Sequence, residues 1–178
     1  AMIGKWGLGV ENSSGEPNKQ GFDLYYGYLD QVLAHNYYPE YLLRNGKKEY
    51  LNNEVHYLTR YDGLDSYSSK KEDYAHDLFT SEALNYIEEK QDSTFFLYLP
   101  YTIPHAGSAK EGWAMEVPDM GPYKEKDWPY NRKGYAAMIT RMDSDIGKIM
   151  EKLNGLDLDR NTLVIFTSDN GPMHEYVG

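Results

Sequence analysis

The chain has 178 residues and no cysteine. Disulfides and thiolate metal sites are therefore both excluded, and thiol usage leaves no mark of a redox compartment. Positive charge is scarce: 18 Lys and Arg stand against 28 Asp and Glu, a formal net charge of -10. Nucleic acid and anionic membrane surfaces reward clusters of Lys and Arg, so neither fits as the main partner. An anionic small substrate still fits, because a pocket needs only a few placed cations, and a bound metal can add more. No apolar run approaches the roughly 18 residues of a membrane span. Ala1–Val10 does not read as a secretory leader either, since Lys5 and the glycines at 4, 7 and 9 interrupt what would be its apolar core. The sequence carries no signal of oligomeric state.

Tyrosine is abundant: 18 residues, against 5 Phe and 3 Trp. Many of these tyrosines lie in polar stretches. A flat apolar face with a hydroxyl suits carbohydrate contact, and it equally suits the edge of a core. The second account is the plainer one.

Along the chain, Ala1-Met2-Ile3 reads as a strand end running into Gly4-Lys5-Trp6-Gly7-Leu8-Gly9, where glycines permit a tight turn and close backbone approach. Residues 11–20 form a polar loop, and residues 22–38 are aromatic without a clear period. Tyr41–Arg44 and Lys47–Leu51 flank Asn45-Gly46, the pair that a type I′ hairpin turn demands. Residues 52–71 are polar and turn-rich and are expected to be loop. Residues 72–90 read as a helix, with Tyr74, Leu78, Ala83, Tyr86 and Ile87 on one face. Thr94–Leu99 is a short apolar run ended by Pro100, expected as a buried strand. A long irregular segment, 101–131, follows. Residues 134–153 give the clearest helix, with Tyr135, Met138, Ile139, Met142, Ile146, Ile149 and Leu153 at steps of three and four. Thr162–Thr167 is expected as a second buried strand, ending in Ser168-Asp169-Asn170-Gly171-Pro172. Helix–strand units with polar motifs after the strands predict one α/β domain whose ligands bind at the carboxyl ends of the strands.

Three strand ends carry chemistry. Lys5 offers a cation, His105 a titratable imidazole, and Asp169 with Asn170 two hard oxygen donors suited to Ca²⁺ or Mg²⁺ rather than zinc or copper. A lysine beside such a metal would clamp a doubly charged oxyanion, and an imidazole could donate to that oxyanion or to a leaving oxygen. Each also has a plain reading: a solvated lysine, a loop histidine, an Asp-Asn-Gly turn. The glycine pattern around Lys5 does not match a phosphate-binding loop.

Gly4-Lys5-Trp6-Gly7-Leu8-Gly9 resembles the Gly-Lys-Trp-His-Leu-Gly motif of formylglycine-dependent (type I) sulfatases, in the alkaline phosphatase superfamily. The run from Phe95 to Pro104-His105 resembles that family's strand followed by Pro-His. Residues 167–172 resemble its metal-binding strand end, and the three matches occur in the family's order. The resemblance implies an alkaline-phosphatase-like sandwich with a mixed sheet flanked by helices. Residues 1–178 would be the central part of a catalytic domain that hydrolyses sulfated carbohydrates or aryl sulfates, without membrane insertion. By the same resemblance Lys5 contacts the sulfate and the nucleophile's oxygen. His105 contacts the sulfate and protonates the leaving alkoxide, and Asp169 and Asn170 ligate calcium. Localisation by family habit is periplasmic or secreted.

Two departures stand out. Gly7 replaces the family's usual His, which marks a variant subgroup and leaves that proton transfer without an assigned group. The nucleophile motif Cys/Ser-x-Pro-x-Arg is absent, with the paired N-terminal aspartates and a second lysine, so the chain alone is expected to be inactive. His35 is a candidate for lining a sugar pocket, His174 for a place beside the metal turn, and His56 and His76 are expected to be structural or surface. Two other readings compete. One is a phosphomonoesterase or phosphodiesterase of the same superfamily, disfavoured by only five histidines. The other is a non-catalytic carbohydrate-binding module, disfavoured by the helix–strand grammar.

Overall fold

The structure is a computed structural model, and it describes residues 1–107 and 114–172. Its sheet is built from β1 (Met2–Lys5), β2 (Tyr25–Tyr28), β3 (Tyr41–Arg44) and β4 (Lys47–Tyr50), adjacent in that order. β1 and β2 are parallel; β2–β3 and β3–β4 are antiparallel. The β3–β4 turn is the expected one, with φ 49° at Asn45 and 79° at Gly46.

The run before Pro100 is extended and lies parallel to β1, as its apolar character required. Ile3 N donates to Tyr98 O (3.0 Å), Tyr98 N to Ala1 O (2.9 Å) and Lys5 N to Pro100 O (2.9 Å). It is not a buried strand, however. It forms the outer edge of the sheet, with Phe96 68 % exposed, so only one of its sides is covered. Three parallel segments thus end together, with Lys5, the connection after Tyr28, and the loop after Pro100 all at their carboxyl ends.

β5 (Glu54–Tyr57) and β6 (Ser66–Lys70) pair antiparallel as a separate two-stranded sheet, where the sequence suggested only loop. Their polar, serine-rich sequence lacks apolar alternation because the strands serve a polar contact. Asn36 Nδ2 donates to Ser66 Oγ and Ser68 Oγ at 3.1 Å each, so this hairpin holds the β2–β3 connection.

α1 (Ala75–Glu89) and α2 (Tyr130–Gly155) match the expected helices within a few residues. α1 buries Ala75, Phe79, Ala83 and Tyr86 against Ile3, Tyr26, Tyr28 and Leu42, which forms the main core on one face of the sheet. The opposite face is closed by Met2, Tyr25, Leu29 and Leu43 with Trp6, Phe22 and Tyr41. α2 packs on α1 through a stripe rotated from the expected one. Gly134, Ala137, Met138, Asp145 and Leu153 are buried, while Ile139 is exposed. Gly134 also lets the segment around Met115 close on α2: a Cβ there would lie 2.1 Å from Met115 O.

The second expected buried strand does not form. Residues 162–167 pair with no strand among the described residues, and Leu163, Ile165 and Phe166 are 84, 77 and 71 % exposed. An apolar run becomes a strand only when a neighbouring edge accepts its backbone, and none does so among the described residues. His174 lies outside the described residues.

Candidate active site

β1 delivers Lys5 to the end of the parallel strands. The backbone there is compressed. A Cβ on Gly4 (φ 134°) would fall 2.2 Å from Pro100 O, and one on Gly27 (φ 145°) would fall 2.0 Å from Gly4 O. Only glycine allows the three parallel segments to sit this close. Past Lys5 the chain stays with the β2 end, Trp6 N donating to Tyr28 O (2.8 Å) and Gly7 N to Leu29 O (3.1 Å). Trp6 Nε1 donates to Gly15 O (2.7 Å), which ties down the polar loop. Lys5 is half-buried, and among the described residues its ammonium has no hydrogen bond or ion pair. A partly desolvated cation without a carboxylate is suited to an incoming anion.

Gly7, where the motif departs, has φ 69°. The space a side chain would take is filled by Gln31, whose Cγ would lie 2.8 Å from a Cβ there and whose Nε2 donates to Gly7 O at 3.3 Å.

His105 is itself exposed, in the loop after Pro100 whose Thr102 and Ile103 are buried. Its Nδ1 is 2.7 Å from Ala106 O, an acceptor, so Nδ1 carries hydrogen and Nε2 remains for chemistry. The ring of His35 is stacked on it, with centroids 5.2 Å apart and planes 13° apart. His35 thus belongs with Lys5 and His105. Burial first, then the charges of His105 and Lys5, push its pKa below the ordinary imidazole value, against the weaker pull of Asp65 and Asp30.

Tyr37, which sequence reasoning passed over, donates its hydroxyl to the His105 carbonyl. Asn36 orders the same connection from the other side: its carbonyl accepts from Tyr28 OH (2.6 Å) and its Oδ1 from Tyr38 N (3.0 Å). No period or motif in the aromatic stretch announced these roles.

Asp169 and Asn170 are exposed. Ser168 Oγ donates to Asn170 O at 2.6 Å, which closes a local turn. No hydrogen bond or ion pair among the described residues joins them to Lys5, His35 or His105, and no group of three or more His, Cys, Asp or Glu there could hold a metal ion. Their donor type suits calcium, but two donors fall well short of the six to eight oxygens that calcium takes. His56 is exposed beside Ser69 Oγ (2.8 Å), and His76 is buried between the two helices.

A model of the sulfatase family matches residues 1–177. The arylsulfatase of Hemicentrotus pulcherrimus is 28 % identical, over 98 % of this chain and 30 % of its own length. The ulvan-active sulfatase of Formosa agariphila is 29 % identical, over 97 % of this chain and 33 % of its own. Among solved structures, Ps i-CgsB in complex with k-i-k-neocarrahexaose superposes with a TM-score of 0.60 at 26 % identity, covering 88 % of this chain and 34 % of that one. The chain thus spans about a third of the length of the curated relatives it matches.

Proposed function

The chain belongs to the sulfatase family of the alkaline phosphatase superfamily, and from that premise we propose that it is the central part of a catalytic domain that hydrolyses sulfate esters. The observation that carries this reading is Lys5, a half-buried ammonium without a counter-ion among the described residues, set at a strand end with two imidazoles beside it. In this reading Lys5 binds the sulfate oxygens. His105 acts through Nε2: protonated, it gives its proton to the leaving alkoxide as the S–O bond to the alcohol breaks, so the alcohol departs neutral. Asp169 and Asn170 would supply part of a calcium shell, the rest coming from protein beyond this chain. Calcium bound there would add positive charge toward the sulfate. The nucleophile, a formylglycine in this reading, also lies beyond this chain.

The substrate in this reading is a sulfated carbohydrate or an aryl sulfate, and relatives of both descriptions are known. One relative is described as ulvan-active, and a structural neighbour is complexed with a neocarrahexaose. Action on such glycans fits a periplasmic or secreted location. No helix among the described residues is long and apolar enough to cross a membrane.

The test is made in the full-length protein with an aryl sulfate as reporter. Lys5→Ala and His105→Ala are each expected to lower kcat/KM by about 100-fold or more. Normal turnover in Lys5→Ala would overturn the assignment.

A further inference from the structure

His35 ends a short turn, Leu33–His35, that is set by Asp30, whose Oδ1 accepts from Val32 N (2.7 Å) and Leu33 N (3.2 Å). This turn lays the His35 ring flat against that of His105, and two fastenings on either side keep the segments together. One is the Tyr37 hydroxyl on the His105 carbonyl. The other is Gly107, where a Cβ would lie 2.6 Å from His35 O, so only a hydrogen fits between the two backbones. A histidine ring has two torsions to fix. The Ala106 carbonyl restrains the His105 ring through Nδ1, and the plane of His35 restrains it from the side.

We propose that His35 is a positioning residue for His105, its ring serving as a flat support that keeps Nε2 of His105 presented to the sulfate ester. This rests on the reading of Lys5 and His105 as the groups that handle sulfate. A support of this kind works best uncharged, since two stacked imidazolium rings repel. The surroundings favour that state. Burial, His105 from the loop after Pro100 and Lys5 from β1 all disfavour a proton on His35, and together they outweigh Asp30 from its own connection and Asp65 from the segment before β6. Gln31 fills the space that a side chain at Gly7 would need, so the position where the motif departs carries no competing group.

The experiment compares His35→Phe, which keeps a flat ring, with His35→Leu, which keeps bulk without one, and His35→Ala, all in the full-length enzyme. Steady-state kinetics on an aryl sulfate are taken across pH, with thermal unfolding as a check on folding. The expected result is a fall in kcat of about 10-fold or more in Leu and Ala, with KM within about threefold of wild type. His35→Phe should restore kcat to within about threefold. It should also lose any acid-side decline that arises from protonating His35. Wild-type kcat in His35→Leu would overturn the proposal. So would a Phe variant as impaired as Leu, because the ring nitrogens rather than the plane would then matter. A rise in KM at constant kcat would overturn it too, and would return His35 to lining a substrate pocket. If Lys5→Ala remains active the sulfatase-site reading itself fails. If Lys5→Ala is dead and His35→Leu is normal, only the support role fails.

Discussion

His76 shows what a buried polar residue demands. It lies between α1 and α2 with its side chain fully enclosed, Nε2 3.0 Å from Asp145 Oδ2. Asp145 also accepts from Lys148 Nζ (2.6 Å) and Thr80 Oγ1 (3.1 Å), and Thr80 meets the Tyr101 hydroxyl at 2.8 Å. Burial alone would raise the Asp145 pKa, but the nearby imidazole of His76 and the bonds from Lys148 and Thr80 outweigh it and hold it at about 2. A folded-state value below the ordinary 3.8 means stability that is fully present above that pH and is lost as pH falls toward 2. The pair's contribution is on the order of 2 kcal/mol. Asp145→Ala is expected to destabilise by about 3 kcal/mol at pH 7, because it leaves the enclosed imidazole of His76 without the carboxylate beside it, whereas exposed Lys148 is rehydrated. It should also flatten the acid limb of stability against pH, as read by urea unfolding. None of this was legible in sequence: Asp145 falls among the charges of an amphipathic helix, and only the packing of α2 on α1 turns it inward. Lys5 and His105 could be singled out as candidates because each lies at a recognisable break, a glycine-rich turn and a proline after an apolar run. His35 was visible only as a candidate, and its stacking partner lies 70 positions away in the chain.

At the scale of elements, the sequence announced those whose physics is local. The β3–β4 hairpin follows from Asn45-Gly46, and both helices follow from their apolar periods. β2 was hidden, because Tyr25-Tyr26-Gly27-Tyr28 is buried on both faces and shows no alternation. β5 and β6 were hidden because their strands support a serine–asparagine contact instead of a core. The glycines separate these kinds of constraint. Gly27 holds β1 and β2 at close approach, whereas Gly46 has only a turn to satisfy and open space around it. Gly27→Ala is therefore expected to cost at least about 2 kcal/mol and to disturb the Lys5 end of β1. Gly46→Ala should cost about 1 kcal/mol from its backbone angle alone. Denaturant unfolding of the two variants reads the difference, and equal losses would mean that the inter-strand approach is not under compression.

For the molecule as a whole, the fold supplies three parallel segments that end together and the cationic and imidazole groups gathered there. Asp169 and Asn170 share no hydrogen bond or ion pair with those groups among the described residues, and they lie on a segment whose apolar side chains face solvent. A site with two oxygen donors for a metal and no nucleophile motif should not turn over. The 178-residue chain by itself is expected to show no aryl sulfate hydrolysis above background, with or without added calcium, when assayed at concentrations at which the full-length protein is readily measured. Turnover by the isolated chain would mean that a residue within it attacks sulfur.

Several of the tyrosines, first met as a surplus in the composition, are structural fasteners. Tyr25 donates to Gly27 O (3.0 Å), Tyr28 to Asn36 O (2.6 Å), Tyr74 to Glu116 O (3.0 Å), and Tyr37 to the carbonyl of His105. Burial pushes the phenols of Tyr26 and Tyr101 up to about 12, and those of Tyr28 and Tyr74 well above their ordinary value. Above the ordinary phenol value the enclosed rings of Tyr28 and Tyr74 stay protonated only while the fold is closed, and they ionise once it opens. Phenolate absorbance is therefore a built-in optical gauge of the integrity of the site's supporting framework, and it needs no added label.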